Sequence, residues 1–91
     1  MTRQTLQDLL ARHAGAKVDG DALSVPDAVD VSLYVAMGIE PLVLDKVATV
    51  TLEPDAVVAS TRRRERYLIA YEDLRAVRVS DEHTTRPGIL E

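Results

Sequence analysis

Val31-Ser32-Leu33-Tyr34-Val35-Ala36-Met37-Gly38-Ile39 is the stretch that decides the fold. Val31, Leu33, Val35, Met37 and Ile39 alternate with Ser32, Tyr34, Ala36 and Gly38. Successive side chains leave a strand on opposite faces, so a period of two predicts a strand with one buried face. All the apolar residues of the first set are expected on that face. Gly38 followed by Glu40-Pro41 predicts a bend, because proline lacks the N–H that a central ladder requires.

Working toward the C-terminus, Leu42 to Glu53 reads as a long, curved strand. Leu42, Leu44, Ala48, Val50 and Leu52 share one face, and Lys46 interrupts it; a bulge near Asp45-Lys46 resolves the conflict. Glu53-Pro54-Asp55-Ala56 predicts a turn, since Pro54 presets the backbone angle at its second position. Val57 to Thr61 forms the third strand, Arg62 to Glu65 a hairpin tip, and Arg66 to Tyr71 the fourth strand. Glu72-Asp73-Leu74 reads as a tight or 3₁₀ turn with Leu74 plugging the core, and Ala76 to Val79 closes the structure. Beyond Ser80 the chain turns polar, and Pro87-Gly88 breaks regular structure; 81–91 is expected to be a mobile tail.

Toward the N-terminus, Thr2 to His13 reads as an amphipathic helix with Leu6, Leu9 and Leu10 on one face at i, i+3, i+4 spacing. Thr5 with Asp8 resembles a capping box, and Thr2 is the rival cap. Gly15 is a natural stop, because it tolerates the left-handed conformation just past a helix end. A short leucine-striped helix is marginal alone, so its face must pack on something. Asp19-Gly20 signals a tight turn flanked by Lys17-Val18 and Ala22-Leu23.

These readings assemble into an α+β fold: an N-terminal helix, then a small five-stranded antiparallel β-barrel of the Sm/SH3-like kind, over residues 1–80. Composition agrees. The chain has 91 residues, enough for one domain with a small core. Phe, Trp and Cys are absent, and Tyr34, Tyr67 and Tyr71 are the only aromatics. Without cysteine there is no disulfide framework, thiolate metal site or cysteine nucleophile, which fits a reducing cytoplasm. Met1-Thr2-Arg3-Gln4 opens no signal-peptide pattern, and no apolar run reaches the roughly 20 residues a membrane-spanning helix needs. No membrane association is expected. The net charge of −4 does not suggest a general nucleic-acid binder.

Thr5 to Leu10, Val31 to Ile39, and Tyr67-Leu68-Ile69-Ala70-Tyr71-Glu72-Asp73-Leu74-Arg75-Ala76-Val77 carry a resemblance. They look like the opening helix, the first strand, and the strand, 3₁₀ turn and final strand of the bacterial Sm-like RNA chaperones. The resemblance implies a ring-forming small barrel. Where that family places a Lys-His pair used for RNA, this chain has Glu72-Asp73, which repels phosphate. Bacterial pleckstrin-homology-like domains are a second resemblance, through a strand like Tyr67 to Tyr71 followed by an acidic turn and a last strand.

No catalytic constellation emerges. His13 sits at a helix end, where it meets the helix dipole favourably, and His83 lies in the tail beside Asp81. Asp19, Asp21, Asp27 and Asp30 lack the ligand spacing of a calcium loop. No enzymatic activity, cofactor or metal is expected. Arg62, Arg63, Arg64 and Arg66, with Tyr67 adjoining, are the candidate binding site for a partner or anion, because the arginine fork suits carboxylates and phosphates. The sequence thus predicts a non-enzymatic protein-interaction or assembly module that is homo-oligomeric. Its expected partners are itself and another acidic protein. An Sm-like RNA-binding protein is the alternative, and few aromatics interleave with the arginines to stack bases.

Overall fold

The computed structural model describes residues 1–81. Helix α1 spans Arg3–His13. Eight strands follow among the described residues: β1 Lys17–Asp19, β2 Ala22–Ser24, β3 Val29–Val35, β4 Leu42–Leu44, β5 Val47–Leu52, β6 Ala56–Thr61, β7 Arg66–Ala70 and β8 Leu74–Asp81. A 3₁₀ turn, Tyr71–Asp73, joins β7 to β8.

Thr2 is the helix cap: its hydroxyl accepts the Thr5 N–H at 3.1 Å, which places the first turn three residues before the Thr5-Asp8 pair. Asp8 instead accepts from the Gln4 side-chain amide one turn back, at 2.9 Å. At the other end Gly15 adopts φ +68°, and the N–H groups of Ala14 and Ala16 both fold back onto the Leu10 carbonyl. Leu6 and Leu10 are fully buried, whereas Leu9 is only half-buried, a correction to the three-leucine stripe. Leucines at i and i+4 stack one above the other, while i+3 falls to the stripe's margin.

The strands divide between two antiparallel sheets, ordered β1-β2-β5-β6-β7 and β4-β3-β8. One N-terminal helix over antiparallel strands is the α+β layout expected; the strands are eight where five are expected, and hydrogen bonding among the described residues does not close into a ring. The extra strands have two origins. The β1-β2 hairpin pairs Asp19 with Ala22 across a two-residue turn, Gly20-Asp21, and then adds to β5. The long strand expected over Leu42 to Glu53 breaks at Asp45-Lys46, where Lys46 takes φ +59°, so β4 lies in one sheet and β5 in the other.

A register shift between Val47 and Thr49 completes the irregularity. It turns Val47 rather than Ala48 into the core beside Val50 and Leu52. On β3, Val31, Leu33 and Val35 are buried as the alternation requires, but the strand ends at Val35. Met37 and Ile39 lie beyond that end in the loop toward Pro41 and are exposed, Ile39 fully; their expected burial is corrected. Leu74 plugs the core immediately after the 3₁₀ turn. The buried residues of helix and both sheets form one contiguous aliphatic cluster.

β8 pairs with β3 through Asp81, one residue past the expected domain end. The remainder of the expected tail, with His83 in it, lies outside the described residues. No helix among the described residues is long and apolar enough to cross a membrane.

Candidate functional site

The hairpin between β6 and β7 presents the predicted arginine cluster and spreads it over separate environments. Thr61, buried at the end of β6, anchors the tip: its hydroxyl accepts the N–H groups of Arg63 and Glu65, each at 3.3 Å. Arg64 sits at φ +68°, a left-handed conformation that side chains with a Cβ adopt at a cost of about 1–2 kcal/mol. Arg64→Gly should therefore raise stability by up to about 1 kcal/mol, the relieved strain being partly offset by the freer unfolded chain. A rise in urea midpoint for Arg64→Gly and a fall for Arg63→Gly is the expected pair of results.

Arg62 is exposed, and its donors are engaged by backbone. Its guanidinium donates to the backbone carbonyls of Pro26, Asp27 and Val29 at 3.0, 3.1 and 3.0 Å. Its own N–H donates to the Lys46 carbonyl at 2.9 Å. Arg62 thus fastens the turn before β3 to the tip, so this member of the arginine cluster also has a structural role. Arg66 is exposed on β7, and Tyr67 beside it is half-buried, its hydroxyl donating to Glu65 at 3.2 Å. The negative charge of Glu65, followed by burial, pushes the Tyr67 phenol above its ordinary range.

Arg63 enters a polar cleft of about 240 Å³ with Asp30 and Ser32 of β3, Asp45 and Lys46 of the strand break, and Arg78 of β8. Ser32 donates to Asp45 at 2.8 Å, Arg78 lies 3.9 Å from Asp45, and Lys46 lies 3.5 Å from Asp30. One oxygen of Asp30, Oδ1, is buried without a hydrogen-bond partner.

On the other side of β7 lies an apolar groove of about 410 Å³. Val35, Ala36 and Met37 at the end of β3, Leu42 of β4, and Tyr67 to Ala70 of β7 line it, with Asp73 at its rim. β7 is an edge strand, paired only with β6 among the described residues, so one row of its backbone N–H and C=O groups is open. Leu68 is 74% exposed here and Met37 58%, with Ile39 in the same loop as Met37. Sequence reasoning placed Met37 and Ile39 in the core; the signal that finds them outside is Gly38, at φ +59°, with Pro41 three residues on. β8 and β4 are the two edges of the other sheet among the described residues.

Comparison with protein-family models, curated proteins and solved structures finds no match to this chain. Among the described residues no group of three or more His, Asp or Glu side chains is placed to hold a metal ion.

Tyr71 closes the base of the 3₁₀ turn, its hydroxyl donating to the Glu53 carbonyl at 2.6 Å. Burial pushes its phenol above the ordinary value of about 10, against an opposing pull from the Arg3 guanidinium. A group bound more tightly to its proton in the folded state stabilises the fold fully below the unfolded pKa, and that contribution disappears as pH rises through the folded one. Stability should therefore fall in the alkaline range above about pH 10. Tyr71→Phe should cost about 1 kcal/mol or less at neutral pH, because the site is partly solvated. Urea melts at pH 8 and pH 11 check this: the difference between the two pH values should shrink in the variant.

Proposed function

We propose that this chain is a non-enzymatic assembly module that pairs with copies of itself, the free edge of β7 receiving β8 of a second copy. The observation that carries this reading is the coincidence of an open strand edge with an apolar groove and the exposed Leu68 and Met37 beside it. Open edges offer hydrogen-bonding groups, and adjacent apolar surface adds the favourable burial that backbone pairing alone lacks. A second copy is the occupant because the chain itself supplies the complement. Among the described residues β8 is the longest strand, at eight residues, and it also has an unpaired edge in its own sheet. A contact between two different edges is heterologous, and such contacts close into rings when the rotation permits.

The same reading takes the two sheets as halves of a small Sm/SH3-like barrel. β4 and β5 are consecutive pieces of one bent strand running from sheet to sheet, and the 3₁₀ turn carries β7 into β8 in the same manner. The open seam then falls at the two edges offered for assembly. A chain with no cysteine fits the reducing cytoplasm, which this reading assigns as its compartment.

Another acidic protein is a further candidate partner, through exposed Arg63, Arg64 and Arg66. The Sm-like RNA-binding alternative draws on the same arginines and adjacent Tyr67, and is opposed by Glu72 and Asp73 in the 3₁₀ turn. Light scattering of the full chain across micromolar concentrations, with an RNA gel shift at two salt concentrations, tests the reading. A mass that is a multiple of 10.0 kDa without an RNA shift is expected. A single-chain mass at every concentration rejects self-assembly, and a salt-dependent RNA shift favours the alternative.

A further inference from the structure

We propose that the polar cleft between the hairpin tip and the strand break is a binding site for a phosphate group, with Arg63, Lys46 and Arg78 as its donors. Four separate parts of the chain build it. β3 contributes Asp30 and Ser32, the break contributes Asp45 and Lys46, the tip contributes Arg63, and β8 contributes Arg78. Their juxtaposition is fixed by backbone: Ser32 and Arg78 are cross-strand partners, and the Arg62 N–H to Lys46 carbonyl bond ties the tip to the break.

The charge balance selects the ligand. Three cations and two carboxylates line the cleft, so it is cationic by one unit. The internal contacts leave the cations underused. Lys46 is 3.5 Å from Asp30, and Arg78 is 3.5 Å from Ser32 and 3.9 Å from Asp45. Charge-assisted bonds to oxygen normally close to about 2.7–2.9 Å. Arg63 makes none of the ion pairs found among the described residues, leaving its planar fork available. Of the two carboxylates, Asp45 accepts from Ser32 at 2.8 Å through Oδ1, the same oxygen that lies 3.9 Å from Arg78. Asp30 keeps its Oδ1 shielded from solvent, so it faces a ligand with only the oxygen nearest Lys46.

A cationic ligand meets three like charges against two carboxylates, and an apolar ligand finds polar walls. A compact oxyanion instead finds donors from three directions. No aromatic side chain lines the cleft to stack a nucleobase. Free phosphate and the phosphate of a larger metabolite share this chemistry.

Amide NMR titration of the full chain with inorganic phosphate, at ionic strength held constant with chloride, tests the proposal. Adenosine monophosphate forms the second arm. Saturable shifts at Asp30, Lys46, Arg63 and Arg78 are expected, with similar affinity in the two arms. Arg63→Ala should weaken binding about ten- to a hundredfold, and Arg63→Lys by less, since it keeps the charge but not the fork. Arg64→Ala, at the same tip but outside the cleft, should bind as the parent does. Tighter binding of the nucleotide with the same dependence on Arg63 keeps the site and assigns the phosphate to a nucleotide. Shifts that do not saturate, that survive Arg63→Ala unchanged, or that Arg64→Ala removes equally overturn the proposal.

Discussion

Leu10→Ala should lower the unfolding free energy by about 2–5 kcal/mol, the largest stability loss expected of a single substitution here. Leu10 lies in the last turns of α1 with no exposed surface, one helical turn from the equally buried Leu6. Both belong to the aliphatic cluster that also contains Leu23 of β2 and Leu33 of β3. Truncation removes transfer free energy and leaves a cavity into which the surroundings relax only partly. Leu9→Ala, at a half-buried position, should cost clearly less. Chemical denaturation of the two variants checks the ordering. Equal costs would mean that the helix docks by a different face. Because a small domain retains a net stability of only about 5–15 kcal/mol, Leu10→Ala should also show a markedly lower melting temperature.

The second large effect is on assembly rather than stability. Leu68→Glu should leave the melting of the isolated chain nearly unchanged and abolish self-association. Leu68 is 74% exposed, while its neighbour Ile69 faces the core, so the substitution touches the groove side of β7 and spares the interior. A carboxylate there must be desolvated before a second strand can pair, and an unpaired buried charge is costly enough to exclude the complex. Light scattering of Leu68→Glu should give the single-chain mass at concentrations where the parent is larger. Exposed Val18, on the far edge strand β1, supplies the control: Val18→Glu should associate as the parent does.

Much of this architecture is written locally in the chain. Gly15, the turns at Asp19-Gly20 and Glu53-Pro54, the break at Asp45-Lys46 and the plug at Leu74 each follow from one or two residues with a defined backbone demand. The misreadings share a cause in longer-range structure. Alternation continues through Met37 and Ile39 although pairing with β4 and β8 stops at Val35, and periodicity alone does not report where a partner strand ends. Val47 replaces Ala48 in the core because the irregularity between Val47 and Thr49 changes the phase of the strand there, leaving Val50 and Leu52 buried as expected, and its position depends on the partner β6. Arg62 looked free because the carbonyls it holds lie 33 to 36 residues away. The cleft was illegible for the same reason: Asp30, Lys46, Arg63 and Arg78 carry no common motif and meet only once both sheets have formed.

Self-assembly through the β7 edge is tested most directly at the backbone. Amide hydrogen exchange of the full chain should be compared at low and high concentration under matched conditions. The amides of β7 that face away from β6, between Arg66 and Ala70, should exchange fast when dilute and gain protection as concentration rises, together with those on the open edge of β8. Protection that stays the same in β7 and β8 over the whole concentration range, or that rises only at β1, would contradict the account.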